Sequence, residues 1–167
     1  MKHIQLDDLN EMSKIYRLNL VNSITGYKSA HLIGSQSLDG KNNVAIFSSV
    51  IHLGSNPALI GFILRPTSVP RHTYSNIKAT GIFTLNAITK KQIKDAHHTS
   101  AKYPEEISEF DKTNLQIEKK EDWNAPFVKD VPIQMGCRYQ NEYHIKENDT
   151  KLIVASIEHF YVSESLL

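Results

Sequence analysis

Residues 43–86, NVAIFSSVIHLGSNPALIGFILRPTSVPRHTYSNIKATGIFTLN, decide the fold class of this chain. The run NVAIFSSVIHL (43–53) is apolar, β-branched and aromatic, which predicts a strand buried on much of both faces. Gly54–Ser55–Asn56–Pro57 breaks it, and ALIGFILR (58–65) predicts the next strand, ending at Pro66. A two-turn helix over YSNIKAT (74–80) follows, with Thr73 as its N-cap, Ile77 on its inner face and Gly81 as its stop. A helix start offers unpaired N–H groups and the positive end of a dipole. Arg65, Arg71, His72 and Thr73 cluster there and suit a phosphate monoester. A solvated loop beside an ordinary cap is the plainer alternative, but arginines at a helix start oppose the dipole unless an anion sits among them. Ser48–Ser49 end an apolar run, where N–H and hydroxyl groups face a flat polar ligand. The stretch predicts a small β scaffold that holds a phosphorylated, ring-bearing molecule.

Outward from this stretch, residues 6–16 have helical character, with Leu6, Leu9, Met12 and Ile15–Tyr16 at helical spacing. ITGYKSAHLIGSQ (24–36) predicts a strand, and SLDGKNN (37–43) a turn centred on Asp39–Gly40. IFTLNAI (82–88) predicts another strand. The segment 90–112 has helical character and is divided by Pro104, since proline breaks an interior helical hydrogen bond. LQIEKKED (115–122) predicts a strand with a solvated, charged end, and WNAPFVKDVP (123–132) a loop with two prolines. PIQMGCRYQNEYHI (132–145) and KLIVASIEHFYV (151–162), joined by KENDT, predict a hairpin. With about seven strands and only one excursion long enough for a crossover, a closed antiparallel Greek-key (split) β-barrel with a few short peripheral helices is expected over a doubly wound parallel sheet.

The 167 residues are expected to form one domain over 1–167, large enough for a substantial core. Lys plus Arg number 19 and Asp plus Glu 18, for a net charge of +1, which argues against a nucleic-acid or anionic-membrane surface. The single Cys137 excludes an intrachain disulfide framework and a cysteine-rich zinc site. No apolar run approaches the roughly 20 residues that span a bilayer, and the start, MKHIQLDDLNEMSKIY, lacks the apolar core of a secretory signal. A cytoplasmic location is expected. Motifs for other chemistries, G-x-G-x-x-G, Walker A, G-x-S-x-G and H-E-x-x-H, do not occur.

The chain resembles the flavin reductase-like family, whose fold is the FMN-binding split β-barrel, with flavoredoxin-like flavin oxidoreductases among its members. The resemblance is carried by NVAIFSS after a DG turn, PALIGFILRP (57–66), HTYSNIKATGIFTLN (72–86), AHHTSAKYPEEISEF (96–110) and APFVKDVPIQMGCRY (125–139), in order and across residues 22–162. It implies a homodimer with FMN near the subunit interface, taking hydride from NADH or NADPH and passing electrons to an acceptor. It also implies that Ala45, Phe47, Ser48 and Ser49 lie along the isoalloxazine edge through backbone amides and the two serine hydroxyls. Arg65, Thr67, Arg71, His72 and Thr73 would surround the phosphate, Asn86 and Ala87 flank the ring or ribityl chain, and Ser100–Lys102 approach the flavin from a second subunit. Since the isoalloxazine performs the redox chemistry, no protein residue is assigned as catalytic. Rival readings are a flavin-binding electron carrier without a nicotinamide site, and a split-barrel oxidase of a phosphorylated vitamer. Chains resembling this one often continue past the last strand, whereas this one stops at SESLL.

Other eye-catching residues have plainer roles. Adjacent helical residues point about 100° apart, so His97 and His98 do not share a metal ion, and no metal site is expected. Cys137 is expected as a buried small hydrophobe and Trp123 as an anchor at the core edge.

Overall fold

The computed structural model describes residues 1–104 and 106–167. Its strands are β1 (His31–Gln36), β2 (Asn42–Phe47), β3 (Ile51–Ser55), β4 (Ala58–Leu64), β5 (Ile82–Ala87), β6 (Ile117–Lys120), β7 (Trp123–Val128), β8 (Ile133–Ile145) and β9 (Thr150–Val162). The helices are α1 (Leu6–Glu11), α2 (Lys14–Ser23), α3 (His72–Thr80) and α4 (Ile93–His98).

Seven strands form one antiparallel sheet in the order β2-β1-β5-β8-β9-β4-β3. Strands β2 and β3 follow one another in the chain yet hold opposite edges of that sheet. The link between them, residues 48–50, lets the two strand ends stand at most ~14 Å apart. The edges of a flat sheet of this size would be about 29 Å apart. The sheet therefore rolls up until its edges face each other. Phe47 of β2 meets Phe62 of β4 edge-on, with ring centroids 5.1 Å apart, and Phe62 meets Phe83 of β5 at 5.7 Å. Ile33, Leu85, Met135 and Ile153 complete the buried core inside the roll, with Ile77 of α3 against it.

The roll is split, as the expected split barrel implies, and its expected closure is not seen in the strand ladders. Among the described residues no ladder joins β2 to β3. Side chains lace the gap instead. The Ser49 hydroxyl accepts from the Ile63 N–H at 3.1 Å and donates to the Ile63 carbonyl at 3.2 Å, while the Ser29 hydroxyl donates to the Val50 carbonyl at 3.3 Å.

Strands β6 and β7 form a separate ribbon that lies on β1 and β5. Contact is close because position 34 is glycine: a Cβ there would stand 2.0 Å from the Pro126 carbonyl oxygen. The Thr84 hydroxyl donates to that oxygen at 2.6 Å, and the Asn86 side-chain oxygen accepts from the Val128 N–H at 3.0 Å.

Several expected elements change. The strand expected over 43–53 is two strands, and β3 is largely exposed rather than buried on both faces. The first strand begins at His31, not Ile24. The expected loop 123–132 contains β7. The helix expected over 6–16 is two helices, because Ser13 caps the second by accepting from the Tyr16 N–H. The helical character of 90–112 reduces to α4 and 3-10 turns over Lys90–Gln92 and Glu109–Lys112; Glu105, within that expected region, lies outside the described residues. The final hairpin and the αL stop at Gly81, with φ of 74°, stand as expected. Trp123 is an anchor, its indole N–H donating to the Phe83 carbonyl at 3.2 Å, and Cys137 is buried, with burial pushing its thiol pKa up.

Candidate functional site

Helix α3 sets the site. Its N-cap is Arg71, not Thr73, and no side chain caps it. The Ser75 N–H is the first to bond back into the helix, to the Arg71 carbonyl at 3.0 Å, so the N–H groups of His72, Thr73 and Tyr74 stand ahead of the ladder. Thr73 lies inside the first turn, where its buried hydroxyl accepts from the Asn43 amide at 3.0 Å and pins the helix start to β2. From the other side, the Tyr74 hydroxyl donates to the Glu142 carboxylate of β8 at 2.9 Å.

The Arg71 Nε–H donates to the Pro66 carbonyl at 3.3 Å, folding the 65–70 loop back over the helix start. Arg71 and His72 therefore stand at the helix start itself, with Arg65 and Thr67 flanking Pro66 in the chain. Among the described residues neither arginine is ion-paired. An uncapped helix start with an unpaired guanidinium at its N-cap favours an anion there.

Strand β2 runs from this helix end to the Ser48–Ser49 link. From Asn43 to Ser48 the rise is about 17 Å, enough for a ribityl chain and its ring. The outer edge of β2 is partly spoken for. The Val44 N–H donates to the Glu109 carboxylate at 3.2 Å and the Ile46 N–H to the Thr99 hydroxyl at 3.0 Å. By alternation the Ala45 and Phe47 amides face β1. The open amides thus begin at Ser48, whose N–H and hydroxyl have no partner among the described residues. Phe47 contributes its ring to the core rather than a free amide.

A family model described as "Flavin reductase like domain" matches residues 28–167. The chain belongs to the flavin reductase-like family. A candidate flavin reductase with a split barrel domain from Shewanella frigidimarina NCIMB 400 is 39% identical, with a TM-score of 0.94, covering 98% of this chain and 81% of that one. Nitrilotriacetate monooxygenase component B from Bacillus cereus shares the fold at 22% identity, with a TM-score of 0.83, covering 100% of this chain and 84% of that one. So does flavoredoxin of Desulfovibrio vulgaris (Miyazaki F), at 22% identity and a TM-score of 0.72, covering 85% and 74%. A curated relative from Aquifex aeolicus without an assigned function is 25% identical over 108 residues, which is 64% of this chain; the chain spans only 55% of that relative's length.

In this flavin reductase-like chain, three expected contacts sit differently from the rest. Asn86 is fully buried, its amide donating to the Leu32 carbonyl at 3.0 Å and the Thr84 hydroxyl at 2.9 Å while its oxygen holds Val128. Its side chain fastens β5 to its neighbours and lies beneath any open surface. The Ser49 hydroxyl is engaged at Ile63. Ser100 and Lys102 are exposed just past α4, and the adjoining Thr99 ties that segment to β2 of the same chain, two residues from Ser48.

Sequence reasoning missed Glu109, Thr99 and His31. Burial pushes the Glu109 carboxyl upward, against the pull of the Val44 N–H and the nearby His72. His31 stands in register between Phe47 and Ala87, and its buried Nδ1 has no partner among the described residues. Burial also pushes the His31 pKa down. Two surface clefts, one beside Trp123 and Asn124 that reaches Asn42 of β2 and one beside Lys91, Asp95 and Lys129, are not lined by Ser48, Arg65, Arg71, His72 or Thr73.

Proposed function

We propose that this chain binds FMN and passes electrons from a reduced nicotinamide through the flavin to an acceptor, working as a homodimer. The observation that supports this is the uncapped start of α3 at Arg71, one β2-length away from the Ser48 N–H and hydroxyl, with neither Arg65 nor Arg71 ion-paired among the described residues. The residues fit the cofactor: a dianionic phosphate complements the helix end, and the strand between is long enough for the rest. When bound, the flavin supplies the two-electron chemistry. The protein contributes binding and order. Arg65, Arg71, Thr67 and the amides of His72 and Thr73 hold the phosphate. Ser48 offers a donor to the polar ring edge, and Phe47 backs it with an apolar wall that limits water. Lys90, Lys91, Lys94 and Lys102 are exposed beside α4, where they meet the charged end of a dinucleotide.

Anaerobic stopped-flow mixing of the FMN-loaded protein with NADH and with NADPH tests the reading. Rapid bleaching of the flavin colour with at least one donor is expected. Colour that persists with both makes the protein an electron carrier instead.

A further inference from the structure

Helices α1 and α2 contain no buried residue, although they are rich in large apolar side chains. Leu6, Ile15, Tyr16, Leu18, Val21 and Ile24 are exposed by 71, 75, 59, 52, 48 and 76%. Hydrogen bonds of residues 1–27 are all local among the described residues. Ile15 and Leu18 share one face of α2 and Tyr16 lies on another, so no single side could be turned to water to hide them. This arm leaves the body at Ser29, whose hydroxyl bonds Val50 at the entry to β3.

The body has a matching exposure. Strand β3 ends the sheet with its outer side unpaired, and Ile51 and Leu53 on it are 45% and 39% exposed. At the other edge, β2 has N–H groups covered by Glu109 and Thr99. An open apolar edge strand is a liability unless something covers it.

We propose that the arm formed by α1 and α2 packs on β3 of a second copy of this chain, so that the dimer is held by exchanged arms. At about 100 Å² for each of the six side chains, one arm offers roughly 600 Å² of apolar surface over its faces, at the upper end of what a monomer leaves open. Two arms and the surfaces that receive them reach the ~1,200–2,000 Å² of a stable complex. The arm belongs to the fold, since the Shewanella structure matches 98% of the chain. A symmetry axis near Val50 brings each arm's root beside both β3 strands, and the covered edge adjoins the Ser48 link, so the partner's arm borders the flavin site. This deepens the homodimer reading given above.

Two experiments decide it, neither requiring flavin. Ile15→Glu/Leu18→Glu and Ile51→Glu/Leu53→Glu, examined by light scattering, are each expected to yield folded monomers, while Tyr143→Glu, also at an exposed apolar residue, stays dimeric. In the wild-type background, a photo-crosslinking residue at position 18 is expected to yield a product of twice the chain mass, with the crosslink mapped to 51–55. Crosslinks within one chain, crosslinks to another surface, or arm variants that stay dimeric overturn the proposal, and the mapping holds even if a glutamate variant fails to fold. A dimer that takes up no FMN would sink the functional reading and leave the arm exchange standing.

Discussion

Replacing Arg71 with alanine separates phosphate anchoring from ring binding. Arg71 is half-buried at the N-cap of α3, and its side chain's only hydrogen bond among the described residues is from Nε to the Pro66 carbonyl, leaving both terminal nitrogens to face an anion. Hydrogen bonds to a charged group contribute about 1.5–3 kcal/mol, which converts to a roughly 10- to 150-fold loss of FMN affinity. The lost Pro66 contact is a long, 3.3 Å bond from a half-buried guanidinium, and losing it costs about 0.5–3 kcal/mol of stability. Riboflavin has the same ring and no phosphate, so its affinity should stay nearly unchanged. Titration by quenching of flavin fluorescence, with urea denaturation of each protein as the folding control, gives both numbers. A variant that loses riboflavin as badly as FMN, or that binds FMN as the wild type does, refutes the anchor.

Acid stability should depend on Glu142. Its side chain is 19% exposed; burial alone would raise its pKa, but Lys151, Tyr74, Tyr139 and Lys78 hold it down, from 4.5 to about 2. A depressed carboxylate stabilises the fold above its unfolded pKa, so on the order of 2 kcal/mol should be lost as pH falls from about 4.5 to about 2, and Glu142→Gln should remove that slope in urea denaturation. Gly34→Ala should destabilise the protein by about 1–3 kcal/mol or more, read by the same method, because the new Cβ meets the Pro126 carbonyl at 2.0 Å and β7 must shift. NADH and NADPH should differ in kcat/KM by roughly tenfold or less, since exposed lysines contribute about 0–1 kcal/mol each to a 2′-phosphate. Added salt should narrow that gap, and a salt-insensitive preference of several hundredfold would reveal a dedicated pocket.

Local signals carried much of the fold into the sequence. The αL glycine at 81, the Asp39–Gly40 turn and two long alternating runs around KENDT each have a short-range physical cause, and α3, β5 and the β8–β9 hairpin follow from them. Partnership did not show. NVAIFSSVIHL looks like one strand because both halves are apolar, yet its halves go to opposite edges of a rolled sheet, a consequence of long-range pairing. Trp123–Val128 was obscured by Pro126, which is tolerated because the ladder with β6 is irregular there and asks for no N–H. The cluster at Arg65–Thr73 was legible as charge against a helix dipole, though the cap falls on Arg71. Asn86 was not legible as a fastener: a polar residue in a strand signals an open face unless a second layer covers it, and here the β6–β7 ribbon does. His31 could have been found only from register, opposite Phe47 and Ala87.

Binding of FMN itself is the most direct test. The purified protein, stripped of ligand and titrated with FMN under a visible absorbance scan, should take up one flavin per chain with perturbed flavin bands, and should bind FMN more tightly than riboflavin. A folded protein that leaves the flavin spectrum unperturbed at millimolar FMN would contradict the assignment of α3 and β2 as a flavin site.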